Sequence, residues 1–144
     1  MRRLPIIIAA CITLFTACEL EGSDNGDLDG YWQWKTVDTL ATGGSQDMRS
    51  SSIFWAVEGD LLEIVDNTRT NDDVFFRFSL SGDSLVLTDP IIDERDSSDI
   101  EVTDYDILLP YGITEIPAVF SVDHLSSSTM ILLSPVYRLS FRKY

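Results

Sequence analysis

From residue 29 onward, apolar and polar positions alternate with a period of two. In residues 31–37, Trp32 and Trp34 fall on one face and Gln33 and Lys35 on the other, as a half-buried strand requires. Residues 52–58 and 61–66 are short apolar runs joined by Gly59-Asp60, a connector that predicts a hairpin. Residues 74–80 set Phe76 and Phe78 opposite Arg77 and Ser79, and Ser81-Gly82-Asp83 turns the chain into 84–89. Residues 119–125, 129–134 and 136–143 follow, the last alternating Tyr137, Leu139 and Phe141 against Arg138, Ser140 and Arg142. Residues 100–107 add a strand candidate with a polar face, and residues 39–51 and 89–99 read as long polar loops.

Eight or nine short strands, closely spaced and separated by turn signals, predict an all-β antiparallel sandwich or barrel. No window carries the apolar stripe of an amphipathic helix, and at most one helical turn fits residues 108–116, where Pro110, Gly112 and Pro117 break regularity. Closing an eight-stranded sheet on itself removes its edges and leaves an interior wide enough for side chains or one small ligand. The inward face then carries Trp32, Trp34, Trp55, Phe76, Phe78, Phe120 and Phe141. Rings at strand spacing fill a core, since each buries about 150–250 Å². A pocket in such a barrel is small and open at one end, between the long loops, with Trp34, Trp55 and Tyr105 as its expected lining.

The first residues follow a different logic. Met1-Arg2-Arg3 is a basic start, residues 4–17 are apolar and uncharged, and Thr16-Ala17 precede Cys18. Fourteen residues fall short of the roughly 20 that a spanning helix needs, so the segment reads as a secretory signal. The small residues before Cys18 resemble the bacterial lipobox, although Phe15 stands where the usual pattern has Leu. That resemblance implies acylation of Cys18 as the mature N-terminus and loss of Cys11 with the signal. The organisation expected is a signal at 1–17, a flexible acidic tether at 18–28 and a barrel domain at 29–144. A spanning outer-membrane barrel is disfavoured despite the terminal Tyr144, because Gln33, Lys35, Glu63, Arg77, Arg138 and Arg142 occupy the outward positions.

Charge narrows the partners. The chain holds 24 acidic and 10 basic residues; without Arg2 and Arg3 the mature charge is 8 − 24 = −16. Nucleic acid, which needs a Lys/Arg surface, is excluded on that balance. An anionic bilayer repels such a body, so acyl chains rather than a basic face must hold it at a membrane. Two cysteines and one histidine leave little for a transition-metal site, and no metal or cofactor is expected. Residues 25–30 match the first half of an EF-hand loop, but position twelve is Thr36 where a bidentate glutamate is required. His124 is the only imidazole, no Gly-x-Ser-x-Gly elbow accompanies it, and no carboxylate pair sits in an apolar setting, so the reading is non-enzymatic.

Gly30-Tyr31-Trp32 at the start of the first strand resembles the Gly-x-Trp signature of lipocalins. Thr103-Asp104-Tyr105 spells the family's middle motif, 71 positions after Trp32. Together with the ending Leu139-Ser140-Phe141-Arg142-Lys143-Tyr144, residues 29–144 resemble the small lipocalin-like lipoproteins of Bacteroidetes. The resemblance implies an up-and-down lipocalin-like barrel, with an arginine of the last strand (Arg138 or Arg142) laid over the Trp32 indole. The acidic residues after Cys18 resemble export signals of surface lipoproteins in that phylum, which leaves an outer-membrane position facing either the cell surface or the periplasm. Two functions follow: binding of a small apolar or amphipathic ligand, or contact with another envelope protein through loops such as 39–51 or 108–116, where Tyr111 and Ile113 stand out.

Overall fold

A computed structural model describes residues 25–94 and 98–144. Ten strands follow one another: β1 (Gly30–Thr39), β2 (Gly44–Asp47), β3 (Ile53–Glu58), β4 (Leu61–Asp66), β5 (Val74–Ser81), β6 (Ser84–Ile92), β7 (Ile100–Glu101), β8 (Ala118–Leu125), β9 (Thr129–Leu133) and β10 (Tyr137–Lys143). The order β1-β3-β4-β5-β6-β8-β9-β10, with β10 pairing back onto β1, closes an eight-stranded antiparallel barrel. Strands β2 and β7 are additions at its rim.

The alternation read from the sequence explains the core. Trp32 and Trp55 are register partners on β1 and β3, and both are fully buried. Phe76, Phe120 and Phe141 complete the ring cluster, with Leu62, Ile64, Leu85 and Leu87 filling between them. Phe141 lies 4.9 Å from Trp55 and Phe120 lies edge-on at 5.9 Å, so this part of the interior is solid. Phe78 is only half-buried, beyond a bulge between Phe75 and Arg77. The Trp55 Nε1–H is buried without a hydrogen-bond partner among these rings.

The two ends differ. At the base, Gly59-Asp60, Gly82-Asp83 and residues 126–128 make short turns. At the mouth lie residues 67–73, 93–94 and 98–117, together with the β2 arm. Three sequence expectations change here. Residues 39–51 are not all loop: β3 pairs only with Gly30–Gln33 of β1, leaving Thr36–Thr39 open, and β2 fills that edge. β6 runs on to Ile92, three residues past the expected start of a loop at 89. The strand candidate at 100–107 is strand only at Ile100–Glu101; residues 102–104 are irregular and a 3-10 helix, Tyr105–Tyr111, follows. Asp104 caps it by accepting from Asp106 N, and Gly112 ends it in the left-handed region at φ +78°.

The tether boundary also shifts. Residues 18–24 lie outside the described residues, but 25–28 are fastened to the barrel. Leu28 is fully buried at the end of a 3-10 turn (Gly26–Leu28), and its carbonyl accepts from Trp32 Nε1 at 2.8 Å. Asn25 Nδ2 donates to the Gly59 carbonyl at 2.6 Å, pinning the chain to the β3–β4 turn.

Candidate functional site

The mouth is shaped by a bulge in β1. Trp34 pairs with Phe141 and Thr36 with Ser140, so Lys35 is the extra residue. The shift restores inward pointing at Val37 and carries both it and Trp34 to one cavity of about 520 Å³. Val37 and Thr39 of β1 and Tyr137 of β10 form its first wall. Ser45, Gln46 and the buried Met48, on and just after the β2 arm, form the second. Leu109, Pro110 and Gly112 of the 3-10 segment form the third. Trp34 itself is 2% exposed, stacks on Phe141 with centroids 6.4 Å apart, and donates from Nε1 to the Thr36 carbonyl at 3.0 Å.

The 3-10 segment is held in place by its inward residues. Leu108, Tyr111 and Ile113 are buried, whereas Leu109 is 49% and Tyr105 41% exposed. Tyr111 Oη donates to the Asp72 carbonyl, tying the segment to the β4–β5 loop. Burial, and then the charges of Asp66, Asp73 and Asp72, hold that phenol well above its ordinary range. The same loop is organised by Asp66, 3% exposed, whose carboxylate accepts from Thr68 N, Thr68 Oγ1, Asn71 N and Asn71 Nδ2 at 2.5–3.0 Å. Burial pushes the Asp66 carboxyl up, but these donors outweigh it and leave it below the usual carboxylate value. On the β2 side Arg49 clasps Asp47 through Nε and Nη2, and the guanidinium with the Arg49 amide lowers the Asp47 carboxyl to about 2.

Of the three residues expected to line the pocket, Trp34 is in the wall. Trp55 is not: it sits fully buried against Phe120 and Phe141, one strand further in. Tyr105 is not either, because it opens the 3-10 helix on its solvent side. Met48, Leu109, Pro110 and Tyr137 take their places; the alternation of β10 could have given Tyr137, but nothing in the local pattern marks Met48. Tyr111 and Ile113, singled out as loop contacts, point inward instead, leaving Tyr105 and Leu109 outside.

The cation over Trp32 is Lys143, not Arg138 or Arg142. Lys143 Nζ stands 4.8 Å from the indole centroid and donates to the Asp27 carbonyl at 2.9 Å. Strand parity is the reason: Lys143 is the register partner of Trp32 and shares its face, whereas Arg138 and Arg142 point to the other. Arg138 instead approaches Asp123 at 3.9 Å and Arg142 Nη2 reaches Gln33 Oε1 at 3.4 Å. Gly30 makes room, since a β-carbon there would stand 3.0 Å from Lys143 Cε. His124 is exposed on β8 with Nε2 2.8 Å from Thr129 Oγ1. Cys18, the expected acylation site, lies outside the described residues.

Two further concavities flank the barrel. One, about 620 Å³, lies at the base against outward-facing Tyr31 and Ala56; the other, about 430 Å³, runs along the Asp66 loop to Asp93. The mouth cavity meets the inward face of the barrel at Trp34.

Residues 13–144 match the family described as Lipocalin-like domain. Among solved structures, a lipocalin-like protein from Bacteroides uniformis ATCC 8492 is similar at a TM-score of 0.62 and 23% identity, covering 83% of this chain and 100% of its own. An uncharacterized protein from Bacteroides eggerthii DSM 20697 is similar at a TM-score of 0.57 and 19% identity, covering 81% and 98%. No curated protein matches the sequence. With the family match spanning nearly the whole sequence and the closed eight-stranded barrel beneath it, the chain belongs to the lipocalin-like domain family.

Proposed function

We propose that this protein is a lipid-anchored lipoprotein of the outer membrane, facing the cell surface or the periplasm, whose barrel mouth binds a small apolar or amphipathic ligand without catalysis. The observation that carries the binding part is the cavity of about 520 Å³ floored by Trp34. Its volume falls in the range of about 300–1,000 Å³ usual for ligand pockets, and its wall mixes apolar groups with a few hydroxyl and amide side chains. The anchoring part rests on the sequence: the basic start, the apolar stretch and Cys18 after Thr16-Ala17.

The test is a titration with the neutral apolar dye N-phenyl-1-naphthylamine. Saturable dye enhancement with loss of tryptophan emission is expected, and Trp34→Phe should remove most of that emission change. Trp32 and Trp55 are sealed in the core and serve as internal controls. Absence of saturable binding overturns the ligand reading.

A second reading is favoured by the solid lower interior and by the outward Leu109 and Tyr105. In it the barrel is a non-enzymatic accessory that contacts another envelope protein through the mouth loops. Tyr105→Ser, outside the cavity, then weakens co-isolation of a partner while leaving dye binding intact.

A further inference from the structure

Resting on the ligand-binding reading, we propose that the mouth selects a cationic amphiphile over an anionic one. The wall chemistry is the first ground. None of the described residues lining the cavity is a lysine or arginine; the polar ones are Thr39, Ser45 and Gln46, which are uncharged. A carboxylate or sulfate head drawn into this wall would lose water and meet no opposite charge, which is costly. Tyr137, half-buried, places a π-system in the same wall above the nearly covered Trp34 floor, and a quaternary ammonium is attracted to aromatic faces by their quadrupoles.

The surroundings point the same way. The described residues among 39–52, 66–73 and 89–117 lie toward the mouth end and include twelve acidic side chains against Arg49 and Arg69, with Lys35 of the β1 bulge as a further cation acting on Asp47. Arg49, next to the wall residue Met48, is already neutralised by Asp47. Arg138, close to Tyr137 in sequence, lies on the outer face near Asp123. Lys143, in contrast, stands at the base over Trp32, the far end of β1 from the cavity. The summed field at the opening therefore attracts cations and repels anions, an effect that weakens as salt rises.

Decyltrimethylammonium, 1-decanol and decanoate, kept below their micelle concentrations, are competed against N-phenyl-1-naphthylamine on the intact protein. The ammonium is expected to displace the dye at concentrations at least tenfold lower than decanoate, with a smaller ratio in 0.5 M salt. Ser45→Lys, which places a cation in the wall at an exposed position, should reverse the order toward decanoate. Saturable dye binding with decanoate equal to or better than the ammonium overturns the charge selectivity alone. Loss of dye binding to the unmodified protein overturns the cavity as a site, and the selectivity with it.

Discussion

Gly112 presses against the Trp34 indole: a β-carbon added to it would stand 3.4 Å from Trp34 Cη2 and 3.2 Å from Leu139 Cδ2. The residue also sits at φ +78°, where a side chain is strained. One glycine thus ends the 3-10 segment and sets how closely that segment covers the cavity floor. Gly112→Ala is expected to lower stability by about 1–2 kcal/mol, from the backbone conformation together with the displaced Leu139. Urea unfolding measures this, and dye affinity should fall in parallel as the segment lifts from Trp34.

Asp66 gives the mouth loop an acid-sensitive fastening. Its folded carboxyl titrates below the ordinary value of 3.8, so on acidification the unfolded chain takes up the proton first. The stabilisation is fully present above that value and is lost as pH falls through the folded one. Asp66→Asn, which surrenders acceptor sites to Thr68 or Asn71, should cost about 2 kcal/mol at pH 7, in keeping with hydrogen bonds to a charged group. The gap between variant and parent should narrow in urea melts at pH 3; an undiminished gap would contradict the assignment.

Lys143, not Arg138, should be the sensitive cation of the last strand. Lys143→Ala is expected to cost about 1 kcal/mol by removing the ammonium over Trp32 and the hydrogen bond to Asp27 O. Arg138→Ala should change stability by less than about 0.5 kcal/mol, because an exposed pair at 3.9 Å contributes little. Thermal or urea melts of the two variants decide between them.

Cys18→Ser should move the protein from the membrane fraction to the soluble one. Mass spectrometry of the parent should show an N-terminal acylated cysteine, with residues 1–17 gone. Stability of the barrel should be unchanged, which urea melts of the two proteins check.

The barrel was legible because its inward rings recur at strand spacing: Trp32, Trp34, Trp55, Phe76, Phe120 and Phe141 are all buried. The β2 arm was not, since Gly44-Ser45-Gln46-Asp47 is exposed throughout and carries no alternation. It forms because β1 outruns β3, a tertiary relation that no local window contains. The 3-10 segment had readable ends in Asp104 and Gly112, yet its Thr-Asp-Tyr start resembled a strand motif and hid them. The Trp32 cation was misread by analogy, although alternation along residues 137–143 already separates Arg138 and Arg142 from the tryptophan face. At the cavity Trp34 followed from period two, whereas Met48, Leu109 and Pro110 arrive on rim segments whose placement depends on the closed barrel.

Closure of β10 onto β1 has a mechanical consequence. Tyr144 N donates to Tyr31 O at 2.8 Å, so the last residue and the start of the first strand meet at the base, beside Asn25. Traction between those two ends would peel the seam open one rung at a time, as a zipper parts. A load applied upstream of Asn25 and resisted by something gripping the rim would instead run along β1 and shear all seven register pairs with β10 together. The same seam is weak in one direction and strong in the other.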